Sequence, residues 1–135
     1  MKKIISLILV VLTLVSLVGI TAVAVEPRWN NAASATMSLY IDADGKASVT
    51  YNCAGISGVT TGITAETKIE RKWGIFWLDV DGAEWTDTTT YRNLTKTHEI
   101  QLSKTGTYRA TVNLTVSGTG GSSDSIELKS EKTYE

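Results

Sequence analysis

A strict alternation of apolar and polar residues constrains this chain more than any other feature. From Tyr108 to Val116, the residues Tyr108, Ala110, Val112, Leu114 and Val116 alternate with Arg109, Thr111, Asn113 and Thr115. A period of two sends one set to each side of an extended strand, so this segment covers a core with one face and meets water with the other. The pattern recurs at Met37, Leu39 and Ile41, at Ala47, Val49, Tyr51 and Cys53, and at Ile63, Ala65, Thr67 and Ile69. Turn residues separate these runs: Asp42-Ala43-Asp44-Gly45, the glycine-rich stretch from Gly55 to Gly62, Lys104-Thr105-Gly106, and Gly118 to Ser123. Phe76, Leu78 and Val80 read as a fourth strand that faces the core and stops at Asp81-Gly82. A short fifth surrounds Trp85, and polar Asp87 to Thr97 reads as a crossing more than a strand. His98, Ile100 and Leu102 follow, and Ile126 and Leu128 carry the last strand toward Tyr134. Seven to eight strands in about a hundred residues predict an all-β antiparallel sandwich.

The N-terminus follows a different rule. Lys2 and Lys3 precede an apolar run from Ile4 to Ile20, which ends at Ala22-Val23-Ala24. A positive start, an apolar middle and a small-x-small exit describe a secretory signal peptide, helical in form and cut after Ala24. The competing reading keeps the run as an uncleaved anchor, since about 20 apolar residues suffice to span a bilayer. The expected organisation is residues 1–24 as signal peptide, 25–33 as N-terminal leader and 34–135 as one β-sandwich domain. The expected location is secreted or extracytoplasmic. Formal charge is −1 for the whole chain and −3 without Lys2 and Lys3, with both signs interleaved. That argues against nucleic acid as a partner. Cys53 is the single cysteine, so an internal disulfide is impossible, and its place in the apolar register predicts a buried thiol.

The stretch Leu102-Ser103-Lys104-Thr105-Gly106-Thr107-Tyr108-Arg109-Ala110 resembles the approach to strand F of an immunoglobulin-like sandwich. There a tyrosine two residues after a turn glycine forms a tyrosine corner. The resemblance gives Tyr108 that role, with Gly106 as the turn glycine. Cys53 falls at the strand-B cysteine position, but Ala110 stands where the strand-F cysteine would be. No tryptophan lies between residues 64 and 68, and Trp73 comes late for strand C. From Ile63 to Tyr134 the chain also resembles small uncharacterised exported proteins of Gram-positive bacteria, a group without an assigned activity.

Chemistry-bearing patterns are sparse. His98 is the single histidine and Glu99 points to the other side of a strand, so a base-activated nucleophile would need a pocket joining His98 to an acid. One His and one Cys cannot make a zinc site. The two Asp-x-Asp-Gly elements, at Asp42 and Asp79, lack a third acidic position and a closing glutamate, so they read as turns and not calcium loops. No metal or cofactor is expected. Asn93 and Asn113 open short sequons, silent in a bacterial host. What remains is an aromatic surplus: Trp73, Ile75, Trp77, Trp85 and Tyr91 within nineteen residues. If Phe76, Leu78 and Val80 face inward, Trp77 faces outward, where it is the leading candidate for an exposed binding ring, the alternative being that the sandwich edge curls and buries these aromatics as a second small core. The expectation is a non-catalytic binding or surface module for an unknown protein or glycan, with Trp73, Trp77, Trp85 and Tyr91 as candidate contacts. The alternative is a carbohydrate-binding module using those rings, and a small extracellular hydrolase comes third. Membrane contact is expected only through the signal segment, if it is kept.

Overall fold

The computed structural model describes residues Arg28 to Glu135, and the expected signal peptide with its expected cleavage residues Ala22 and Ala24 lies outside them. The described chain forms seven strands: β1 (Ala32–Ile41), β2 (Lys46–Gly55), β3 (Thr60–Trp73), β4 (Phe76–Thr89), β5 (Asn93–Gln101), β6 (Gly106–Gly118) and β7 (Asp124–Tyr134). They make two antiparallel sheets, one in the order β1-β2-β5 and the other β4-β3-β6-β7. This is the all-β sandwich that the alternation predicts, and both sheets lie wholly within the described residues.

The inward sets meet between the sheets. Val49, Tyr51 and Cys53 of β2 are fully buried, as are Ala65 of β3 and Ala110, Val112 and Val116 of β6. Their outward neighbours Asn52, Glu66, Asn113 and Thr115 are exposed. Cys53 is a free buried thiol. Burial, with the nearby Asp124 carboxylate adding to it, pushes that thiol up to about 11, which removes the nucleophilic thiolate at neutral pH. Tyr108 is buried and its hydroxyl donates to the carbonyl of Lys104, four residues upstream. That bond ties the β5–β6 turn to the core.

Three expected boundaries shift. Strand β4 does not stop at Asp81-Gly82 and no separate strand surrounds Trp85. Lys68 pairs with Glu84 while Glu70 pairs with Asp79, so Ile69 alone faces residues 80–83 of β4. The extra residues form a bulge, which Gly82 permits with φ of 75°. The polar stretch from Asp87 to Thr97 is mostly strand, with the crossing confined to the segment between Thr89 and Asn93. Threonine suits a half-wet strand as well as a loop.

The leader is also shorter than residues 25–33. Asp124, 7% exposed, accepts backbone N–H bonds from Asn30, Asn31 and Ala32 at 2.7, 2.7 and 2.9 Å. The Asn31 side chain is fully buried and donates to the carbonyls of Val116 and Ser122, while its oxygen accepts from Gly120 N–H. Trp29 packs against the core. The domain therefore begins before residue 34, latched to the β6–β7 hairpin.

Two buried hydroxyls, those of Thr67 and Thr111, have no partner among the described residues. Thr67 is 2% exposed, pairs with Trp85 and Val112 across the sheet, and its Oγ1 makes no hydrogen bond. Thr67→Val replaces that orphan by a methyl of similar size, so chemical denaturation should show a gain of about 1 kcal/mol. A loss of stability would mean that the hydroxyl is satisfied after all.

Candidate functional site

The β3–β4 hairpin outruns the sheet that faces it. Gly82 lies level with Ile100 near the end of β5, which stops at Gln101. Beyond that point the ladder of β3 and β4 continues through Arg71↔Leu78, Lys72↔Trp77 and Trp73↔Phe76. The two strands close on Gly74-Ile75, with Gly74 at φ of 62°, as a tight turn with glycine first requires.

Face and cover come apart here. Cross-strand pairs share a face, so Trp73, Phe76 and Leu78 lie on the core side with Arg71. The alternation gave that direction correctly. No opposing strand covers them, however, and Phe76 and Leu78 are exposed instead of core, at 59% and 49%. Val80, nearer the body, packs on the core. Trp73 is 62% and Ile75 85% exposed. Four of the six exposed large hydrophobics among the described residues thus fall between Trp73 and Leu78, the others being Tyr40 and Tyr91.

Trp77 corrects the expectation most directly. It does face outward, but it is half-buried: the Arg109 guanidinium sits 4.2 Å from its ring centre and Lys72 Nζ 5.9 Å away. Arg109 also donates to Glu70 at 2.9 and 3.3 Å. Trp77 is therefore the apolar wall of a cation-π and ion-pair stack. Trp85 lies between the sheets, its ring stacked on His98 at 4.8 Å and 7°. Tyr91 sits in the β4–β5 turn at the opposite pole, where Arg92 meets Gly55. The four candidate aromatics are dispersed over two faces and two ends. Sequence reasoning missed Phe76 and Leu78 as site residues, yet one signal was available. From Trp73 to Leu78 both phases of the alternation are apolar, more than one buried face needs.

His98 does meet an acid. Its Nε2 donates to Asp87 Oδ2 at 2.6 Å, and Tyr51 Oη donates to the same oxygen at 2.6 Å. Burial alone would raise the Asp87 pKa, but the bonds from Tyr51 and His98, helped by Lys96, hold it below the ordinary carboxylate value. Burial and the bonded carboxylate push the Tyr51 phenol well above its usual range. The trio joins β2 and β5 of one sheet to β4 of the other. His98 and Asp87 side chains are only 17% and 14% exposed, and no hydroxyl or thiol besides Tyr51 reaches either group among the described residues.

Two surface depressions among the described residues bear on the site. One of about 270 Å³ lies behind the hairpin tip, between Arg71, Leu78 and Asp81 on one side and Leu102, Lys104 and Tyr108 on the other. The second, about 470 Å³, is a polar trough on the outer face of β3, β4 and β6, lined by Glu66, Lys68, Glu84 and Asn113. Neither contains His98 or Asp87. No three-residue cluster of metal-ligating side chains occurs among the described residues. Comparison with protein-family models, with curated proteins and with solved structures finds no match to this chain.

Proposed function

We propose that this protein is an exported, non-catalytic interaction module whose contact element is the tip of the β3–β4 hairpin. One observation carries the reading: the large apolar side chains Trp73, Ile75, Phe76 and Leu78 are all exposed at one end of the sandwich. Such patches on folded domains mark interaction sites. Ile75 makes the point sharpest, because a β-branched apolar residue at the apex of a turn contributes nothing to the core.

Export rests on the Lys2-to-Ala24 leader. An immunoglobulin-like kinship rests on the strand order and on the Tyr108 bond to Lys104, with β4 beside β3 where antibody constant domains place the fourth strand beside β5. Likeness to exported Gram-positive proteins belongs to the same proposal. The non-catalytic reading is supported by the lodging of His98 under Trp85 and between two sheets, where it lines neither depression. The carbohydrate reading draws less support, since a glycan platform wants its rings on one face and these are scattered.

Ile75→Asp tests the reading, because an exposed turn residue can change without disturbing the fold. The variant should keep the wild-type thermal midpoint to within about 3 °C. It should also lose retention on isolated cell envelopes of the producing organism. Equal retention of variant and wild type would remove the tip as the contact element.

A further inference from the structure

We infer that the surface met by the hairpin tip is a lipid bilayer, entered by Trp73, Ile75 and Phe76 as far as the boundary between headgroups and acyl chains. This rests on the reading of the tip as contact element and names what it contacts. It also adds a membrane contact distinct from the signal segment.

Four features of the tip favour lipid over a protein groove or a glycan. First, its apolar surface wraps round the end of the hairpin: Trp73 and Phe76 on the core-side face, Ile75 at the apex, and on the other face the half-buried Trp77 with Lys72 and Arg109 against its ring. A partner docking on one sheet face needs only one of these, whereas immersion meets all of them. Second, the depth fits. Arg71↔Leu78 is the third cross-strand pair behind the apex, which at about 3.3 Å per residue places it roughly 7–10 Å back. Interfacial elements bury their apolar side about 5–10 Å into a membrane.

Third, the charges come in the right order. No carboxylate occurs between Arg71 and Leu78, so the first charges behind the apex are Lys72 and Arg71, with Arg109 against Trp77. Asp79 comes one pair further back, opposite Glu70. Arg71 donates to the Thr105 carbonyl and Arg109 to Glu70, so Lys72 is the cation on a long stem placed to reach a phosphate while its methylenes stay in apolar surroundings. Tryptophan has its own preference for this layer. Fourth, the backbone ladder is paired out to Trp73↔Phe76. Immersion leaves the Gly74-Ile75 turn and the free outer edges of the two strands beyond Arg71 to bond water, which this layer still holds.

The test uses the chain from Val25 onward, which contains the entire sandwich without the apolar leader. It is mixed with vesicles of phosphatidylcholine alone, or of phosphatidylcholine with phosphatidylglycerol, and sedimented. Wild type should pellet with both, and vesicles with brominated acyl chains should quench its tryptophan emission. Ile75→Asp should lower the partition coefficient by about tenfold or more. Tyr91→Ser, at the opposite pole, should leave it unchanged. Failure to pellet with either vesicle, or pelleting indifferent to Ile75→Asp, would overturn the lipid assignment. Tip-dependent envelope retention that survives without vesicle binding, and is lost when the envelopes are treated with protease, would assign a protein partner instead. In that case the bilayer inference falls while the tip remains the contact element. Envelope retention indifferent to Ile75→Asp removes both.

Discussion

Asp124→Ala should lower stability by about 3 kcal/mol or more and the thermal midpoint by about 10–20 °C. The carboxylate is 7% exposed and accepts from three consecutive backbone N–H groups. Removing it orphans all three at once, and each buried unsatisfied group costs about 1–3 kcal/mol. Water entering the vacated space recovers part of this, so the total stays below the simple sum. Burial acting alone would raise the Asp124 pKa, but the three donors outweigh it and hold the group below its ordinary value. A depressed folded pKa stabilises above the unfolded pKa of about 3.9, and that stabilisation disappears as pH falls through the folded value. Wild type should therefore lose stability below about pH 4, and Asp124→Ala should lose less over the same interval. A variant with an unchanged midpoint would mean that the N-terminal segment is not held by this latch.

Asp87→Ala should cost about 2–4 kcal/mol through a different route. It leaves Tyr51 Oη, on a ring with no exposed surface, without a partner, and it releases His98 from its place under Trp85. Because the three groups act as one network, the effects should not add. In a Tyr51→Phe background the same substitution should cost at least about 0.5 kcal/mol less. Strict additivity in urea denaturation would show that the trio is three separate contacts. Asp87 also has a depressed pKa, so its stabilisation, like that of Asp124, is present above about pH 4 and lost in acid.

The two aspartates explain where sequence reading succeeds and where it runs out. Strand faces were legible because period 2 is a local property: β2 and β6 bury the residues that their alternation nominates. Whether a face is covered is not local. Phe76 and Leu78 point to the core side as their phase requires, but cover depends on β5 ending at Gln101, on another sheet. The bulge hid the continuity of β4, since residues 80–83 opposite Ile69 reset the phase and present Asp81-Gly82 as a terminus. Asp124 and Asp87 carry no local signature at all. Their partners lie 92 to 94 residues away in one case, and 11 and 36 in the other. The candidate site was half legible: Trp73 and the apolar excess around it were visible, but not the overhang that makes them a tip.

The solitary Cys53 has a consequence for where this sandwich can be assembled. Two carboxylates clamp the flanks of the sandwich, Asp124 between β7 and the start of β1 and Asp87 between β4 and β5, and the one thiol is buried and unpaired. No oxidation step stands between the unfolded and folded chain, so no oxidant, isomerase or reshuffling phase enters its folding. A domain held this way reaches the same structure in a reducing cytosol and in an oxidising exterior, and millimolar dithiothreitol should leave its unfolding curve where it was.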